Sequence, residues 1–331
     1  MISLYKYNIP TVDIYFNEPL KAYISEWTTR SSKRPIHRLG PYSYYANNKV
    51  VIIRYVTDKE LRKIHSLQPK QCYYFIDDNL FATAEDLTLP DDYRARLATF
   101  TKRQLPKILT LADTVVTPNP VINNSYSDKR KLLLHPAYTH ICRDFSHFEN
   151  TKSLNILFCG TRSHLNDLLF IKDVMIDICQ RYNHVKFITY LGHHVPADLS
   201  RQPNTIHHSS MTWPRFKRLF GVDRYHIGIA PYTKTAFNCA RSTNKILDHA
   251  AFGAAGIYTD QPPNNNSIIH RQNGLLVGEK AEDWYEAIEG LIKDVPLTCQ
   301  LARAGASLAA DIGDPKVVRD FWLKELFECG V

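Results

Sequence analysis

Glycine is nearly missing from the first half of this chain: Gly40 stands alone before Gly160, among 13 glycines in 331 residues. That scarcity excludes a Gly-x-Gly-x-x-Gly turn there, so the first half does not hold a pyrophosphate as a dinucleotide-binding unit does. A Gly-x4-Gly-Lys-Ser/Thr phosphate loop and a Gly-x-Ser-x-Gly elbow are absent throughout, which removes P-loop and α/β-hydrolase chemistry. The seven cysteines are scattered with no Cys-x-x-Cys pair, which argues against a disulfide framework or a structural zinc site. No run approaches the ~20 apolar residues of a membrane span. Residues 1–10 lack the basic-then-apolar order of a signal peptide, so a cytoplasmic location is the expectation.

Acid is short relative to base: 33 Asp and Glu against 41 Lys and Arg give a formal charge of +8. Such an excess suits nucleic acid, an anionic membrane surface or a phosphorylated substrate. The cations are spread over residues 30–34, 129–131 and 215–218, without a basic tract interleaved with aromatics or a helix-turn-helix pattern. Nucleic acid is therefore not an expected partner. A peripheral contact with the inner face of the cytoplasmic membrane is compatible with the charge, as is plain solubility.

With 44% hydrophobic and 22% charged residues, the chain is long enough for two α/β domains, each with its own core. Expected strands in the first half are residues 11–16, 50–55, 72–76, 114–117 and 131–134, with helices at 58–66 and 91–112. Their near-continuous apolar runs suit a parallel sheet covered on both faces. Residues 138–153 lack a period and read as a linker. The pattern then restarts, with strands at 155–159, 185–190, 205–208, 225–230, 255–259 and 274–277. Helices are expected at 165–182 and 214–220, then opening near 241, 281, 297 and 314. The expected division is 1–150, 151–313, and a C-terminal helix in 314–331 that returns to the first domain.

The most informative stretch is 223–260, a buried strand, a polar loop, a helix and a second buried strand. Ile246, Leu247, Ala250 and Ala251 recur at helical spacing on one face, while Arg241, Ser242, Lys245 and Asp248 form a polar stripe on another. A helix N-terminus at the carboxyl end of a parallel strand favours an anion, to which Arg241, Ser242 and Lys245 add donors. Asp248, about one turn deeper, suits the vicinal hydroxyls of a ribose, and the layout reads as half of a nucleotide-sugar site. A solvated helix face is the plainer alternative.

A second loop, Phe158-Cys159-Gly160-Thr161-Arg162-Ser163-His164, follows a strand and precedes a helix. Gly160 and Thr161 offer backbone, and Arg162 would neutralise charge on a departing diphosphate. His164 is a further candidate, although a local pair with Asp167 is equally open. Asp77 and Asp78 close a buried strand, one suited to an acceptor contact or base and the other to structure. A Mg²⁺ site and a simple turn are rival readings. Asn238 and Tyr232 are candidate donor-sugar contacts. The pairs His193-His194 and His207-His208 lack a carboxylate or thiol at ligand spacing, so no metal is expected.

From about residue 52 to 284 the chain resembles GT-B glycosyltransferases, specifically the bacterial family-4-like group that builds surface polysaccharides. The pieces are YYFIDDNLF, LADTVVTPNP, ILFCGTRSHLNDL, GIAPY with ARSTNKILDHAAFG, NGLLVG and DWYEAI, in that order. The resemblance implies two Rossmann-like doubly wound domains with a cleft, the first receiving the acceptor and the second the nucleotide sugar, with no metal cofactor. In that family the helix after GIAPY carries a Glu-x7-Glu pair. Here Asp248 matches the second, ribose-binding position, but Ala240 occupies the first. Lys245 matches the lysine of a Ser-x-x-Lys-x-x-Glu version of this helix. The expected activity is retaining transfer of a sugar from a nucleotide sugar to a hydroxyl of a glycan or lipid-linked glycan. Asp77, Asp78, Arg162 and Lys245 are the expected catalytic groups. Two alternatives remain: a CMP-sugar donor, or an inactive subunit that binds a partner enzyme.

Overall fold

Two sheets organise the chain in the computed structural model, which describes residues 9–150 and 152–328. Most of the segment read for a signal peptide, and the last residues of the expected C-terminal helix region, lie outside the described residues. The first sheet comprises β1 (Ile24–Glu26), β2 (Ile36–Arg38), β3 (Ser43–Ala46), β4 (Lys49–Ile53), β5 (Gln71–Phe75), β6 (Thr114–Thr117) and β7 (Arg130–Leu133). They lie side by side in sequence order. Strands β4 to β7 are parallel, and β3 is antiparallel to both β2 and β4. The second sheet is wholly parallel: β8 (Leu154–Phe158), β9 (Val185–Thr189), β10 (Thr205–His207), β11 (Ile227–Ala230), β12 (Ala255–Thr259) and β13 (Leu275–Val277). Its order, β10-β9-β8-β11-β12-β13, reverses between β8 and β11.

The apolar runs that suggested these strands are buried on both faces, as in Val50 to Ile53 and Ile227 to Ala230. The main helices are α1 (Asp58–Leu67), α2 (Asp91–Arg103), α3 (Leu105–Leu111), α4 (Leu165–Arg181), α5 (Asn244–Ala251), α6 (Ala281–Lys293), α7 (Val295–Ile312) and α8 (Pro315–Phe327). Thr57 and Glu60 form a reciprocal capping box at the start of α1. Glu60 also accepts from the Tyr42 N–H (2.9 Å) and the Ser43 hydroxyl (2.7 Å). This explains the isolated Gly40, because a Cβ there would meet Glu60 at 2.5 Å. Helix α8 lies on first-domain elements: Trp322 Nε1 donates to the Tyr15 carbonyl (2.7 Å), and Tyr73 donates to Glu325 (3.0 Å). No helix among the described residues is long and apolar enough to cross a membrane.

Two expectations need correction. Residues 11–16 are helical, not a strand: Pro10–Val12 and Glu18–Leu20 flank a π-helical turn, Asp13–Asn17. Thr11 to Asn17 are all buried, which erases the one-sided periodicity that distinguishes helix from strand. The helix expected from Arg241 begins instead at Asn244. Strands β1 to β3 were not anticipated, being only three or four residues long. The β3–β4 turn places Asn47 and Asn48 at φ of 49° and 60°, the left-handed conformation that a two-residue hairpin loop requires.

Within the second sheet, Gly228 and Gly256 lie opposite each other on β11 and β12. The space is filled by His249 of α5 and by Tyr258, whose hydroxyl lies 3.1 Å from His249 Nδ1. A Cβ at Gly228 would come within 2.5 Å of the His249 ring. Gly228→Ala should therefore lower the unfolding free energy by ~1–3 kcal/mol. Gly221→Ala, where nothing lies within 4 Å of the added carbon, should change it by less than ~0.5 kcal/mol. Chemical denaturation of both variants makes the comparison.

Candidate active site

Ligand crevices of open α/β sheets lie outside the carboxyl ends of the strands, where strand order reverses. Here that point lies between β8 and β11, and the loops leaving them are residues 159–164 and 231–243. Asp167 of α4 sews these loops together. One of its oxygens takes His164 Nδ1 at 2.9 Å, and the other accepts from Thr233 N, Thr233 Oγ1 and Asn238 Nδ2, each at 3.0 Å. His164 stacks on Tyr232, and burial, reinforced by Arg241, pushes its pKa down to about 4. His164 and Asn238 thus serve the scaffold of the crevice. Gly160 permits the turn, because a Cβ there would lie 2.9 Å from the His164 Cβ. Thr161 keeps an exposed hydroxyl 3.0 Å from that of Ser163.

Two arginines reach from this edge toward the first domain. Arg162 holds Asp92 of α2 through two bonds of 2.9 Å, with the side chains 45% and 67% exposed. Arg241 lies over the Phe237 ring (3.9 Å), donates to Ser163 Oγ (3.3 Å) and approaches Asp78 to 4.0 Å. The buried Tyr15 hydroxyl holds its proton chiefly through burial and then through Asp77.

Lys245 and Asp248, one turn apart on α5, form a buried ion pair of 2.8 Å. The other Asp248 oxygen accepts from Tyr138 (2.6 Å), while the Cys159 thiol lies 3.7 Å from the oxygen that holds Lys245. Asp248 is only 4% exposed, so its observed role is to fix the Lys245 ammonium, and a ribose would have to share it with Tyr138. Burial would lower the proton affinity of Lys245, but Asp248 leads the contributions that raise it above the ordinary value.

Opposite, β5 ends at Phe75 and Asp77 and Asp78 follow in a loop rather than as extended strand. They do not point to opposite faces, as strand geometry would have had it. The Arg54 guanidinium bridges them, meeting Asp77 at 2.7 Å and Asp78 through its other nitrogen. Thr11 Oγ1 donates to Asp77 at 2.6 Å. Burial, with help from Asp78, raises the Asp77 pKa, whereas for Asp78 the guanidinium of Arg54 and then Arg241 outweigh burial and lower it.

Both histidine pairs pack locally: His207 bonds Thr189 Oγ1 (2.8 Å) and His208 stacks on Tyr190. The field of Arg162 reaches His194, whose pKa is lowered by burial and then by His193 and Arg162. Among the described residues, no group of His, Cys, Asp and Glu forms a cluster able to hold a metal ion.

No protein-family model matches the chain, and neither does any curated protein. Solved structures do match. Anabaena HepE, in complex with UDP and glucose, shares 11% identity at a TM-score of 0.60, covering 84% of this chain and 78% of its own. Sucrose-phosphate synthase from Thermosynechococcus elongatus gives 12%, 0.55, 81% and 71%. A variant of S. aureus TarM, in complex with fondaparinux, α-GlcNAc-glycerol and UDP, gives 12%, 0.59, 82% and 53%. The chain thus spans about half the length of TarM. It has the GT-B fold.

In that GT-B frame, Arg162, Arg241 and Lys245 lie on the second domain and Asp77 and Asp78 on the first, with Arg241 approaching Asp78 across the interface. Sequence reasoning missed four participants: Arg54, Asp92, Asn119 and Tyr138. Arg54 carried no motif, but its backbone lies in the left-handed region (φ 61°) directly after β4, a conformation a bulky side chain adopts only where the surroundings enforce it.

Removing Arg54 would leave two buried carboxylates uncompensated, so Arg54→Ala should destabilise by ~3–5 kcal/mol near neutral pH. That loss should shrink in acid as the carboxyls protonate, which denaturation at two pH values would detect. The buried histidines have the opposite dependence. Burial lowers His164 and His226 to about 4 and His249 to about 3, so the fold holds them neutral. Unfolded histidine titrates near ~6.5. Their stabilising contribution is therefore complete above that value and is lost progressively as pH falls toward 4. Melting temperature should decline over that window, less steeply in His226→Gln.

Proposed function

We propose that this protein transfers a glycosyl group from a nucleotide diphosphate sugar to a hydroxyl of a glycan or lipid-linked glycan acceptor. The observation that carries this reading is the convergence of Arg162, Arg241 and Lys245 with the N-terminus of α5 at the β8/β11 reversal, across from a carboxylate pair. HepE, solved with UDP and glucose, and TarM, solved with UDP, support a nucleotide-sugar donor of that type.

The acceptor oxygen bonds to the anomeric carbon as the bond from that carbon to the diphosphate oxygen breaks, and the diphosphate leaves with the electron pair. Arg162, Arg241, Ser242 and Lys245 take up the charge that develops on it, assisted by backbone N–H groups of Gly160 and Thr161. Asp248 holds Lys245 in place. Asp77, the carboxylate of higher proton affinity in its pair, is assigned to the acceptor hydroxyl and its proton. Asp78 steadies Arg241. The family resemblance supports retention at the anomeric carbon, a place in surface-polysaccharide assembly and work at the inner face of the cytoplasmic membrane. The formal charge of +8 suits that surface.

Ala240 motivates a second reading, a subunit that has lost catalysis and serves a partner enzyme. A thermal-shift panel of UDP, GDP, dTDP, ADP and CMP tests the first. At a hundred times its dissociation constant one nucleotide should stabilise by ~2.7 kcal/mol, and Lys245→Ala and Arg162→Ala should abolish most of that shift. Donor-sugar hydrolysis separates the two readings: none at high protein concentration would favour the inactive subunit, and absence of any nucleotide shift would overturn the donor site itself.

A further inference from the structure

Among the described buried residues of the second domain, Ala240 alone packs into the first domain's second apolar cluster. It is 2% exposed, and its packing partners form the core of the first domain, in a cluster that includes Leu80, Ile122 and Tyr126. Beside it stands Asn119, at the end of the loop after β6 and 6% exposed. The Asn119 amide donates to the Cys239 carbonyl (3.1 Å) and the Arg241 carbonyl (2.8 Å), the two that flank Ala240. Its own Oδ1 accepts from Val121 N (2.9 Å), so the side chain is fixed from behind.

We propose that Asn119 and Ala240 form an interdomain latch that positions Arg241 for the departing diphosphate. The proposal rests on the donor-site reading above. The latch is a peg and a clamp: the methyl of Ala240 enters the first domain's core while Asn119 grips the backbone on either side. Arg241, one residue on, is thereby aimed at Ser163 and Asp78, with its guanidinium over Phe237. The same contacts explain why the helix starts at Asn244, since the Arg241 carbonyl, which a helix opening there would use, is taken by Asn119. They also give the alanine a physical reason. A carboxylate at this position would be driven into an apolar cluster, where losing water is costly.

Two variants test the latch. Asn119→Asp is isosteric and replaces the amide donor by a group that repels both carbonyls; Ala240→Glu forces a charge into the cluster. Using UDP-glucose, or the sugar of whichever nucleotide binds, Asn119→Asp should lower kcat by ~10–100-fold through misplacement of Arg241. The KM for donor should change much less, because Lys245 and Arg162 remain. Small-angle scattering should show a larger radius of gyration for Ala240→Glu than for the parent protein. Equal kcat in Asn119→Asp, or an unchanged scattering radius together with raised activity in Ala240→Glu, would overturn the latch. Failure of the donor-site reading is recognised separately: no nucleotide would bind the parent protein, while the scattering comparison would still report on the latch.

Discussion

One guanidinium holds two carboxylates together where the first sheet meets the cleft, and much of the site follows from that pairing. Arg54 is fixed by its backbone as well as its side chain: its N–H donates to the Phe75 carbonyl (2.8 Å), and its own carbonyl accepts from the Tyr74 hydroxyl (3.1 Å). Without a cation at this point, Asp77 and Asp78 would not remain adjacent and charged in so dry a place. With it, the pair splits into one carboxyl of raised proton affinity and one of lowered, and the second attracts Arg241 from the other domain. A structural ion cluster and a chemically differentiated pair are here the same object.

The opposite wall is built on the same logic with different partners. Lys245 is largely enclosed, with its side chain 12% exposed, and an ammonium so placed stays charged only if a carboxylate accompanies it. Asp248 supplies that charge, and Tyr138, from the connection between the domains, completes its hydrogen bonding. Asp167 plays the equivalent part for the two loops of the crevice, accepting four hydrogen bonds with its two oxygens. Each wall thus presents cations whose counter-charges are already in place beside them. Under the proposed function, a diphosphate would meet groups that need little rearrangement, which is the condition for electrostatic stabilisation of a leaving group.

Much of this architecture is legible in the sequence where burial is two-sided and continuous. The runs at Val50–Ile53, Thr114–Thr117 and Ala255–Thr259 lie in strands because their β-branched and aromatic residues fill a covered parallel sheet. The polar stripe of Lys245 and Asp248 is legible through helical spacing, and Gly160 through its setting between strand and helix. What escapes is non-local. Whether Asp248 faces a ligand or a lysine depends on Tyr138, over a hundred positions away, and Asn119 has no reason to stand out until Cys239 and Arg241 are seen beside it. The helical residues 11–16 escape for another reason: fully enclosed segments display no polar face from which a period could be counted.

The path of the chain between its halves has a mechanical consequence. The backbone passes from the first sheet to the second along the segment around Tyr138, and returns at Gly313 to lay α8 over Tyr15, Tyr73 and Arg130. The two crossings touch, because the Tyr138 N–H donates to the Gly313 carbonyl at 3.1 Å. Two tethers joined at one place behave as a door hinge rather than a string. Such a junction would resist both sliding and twisting more than rotation about the line through it. Any opening of a body so constrained would be a rotation about that junction, and contacts far from it, at Asn119 and Asp92, would re-form in the same register on closing.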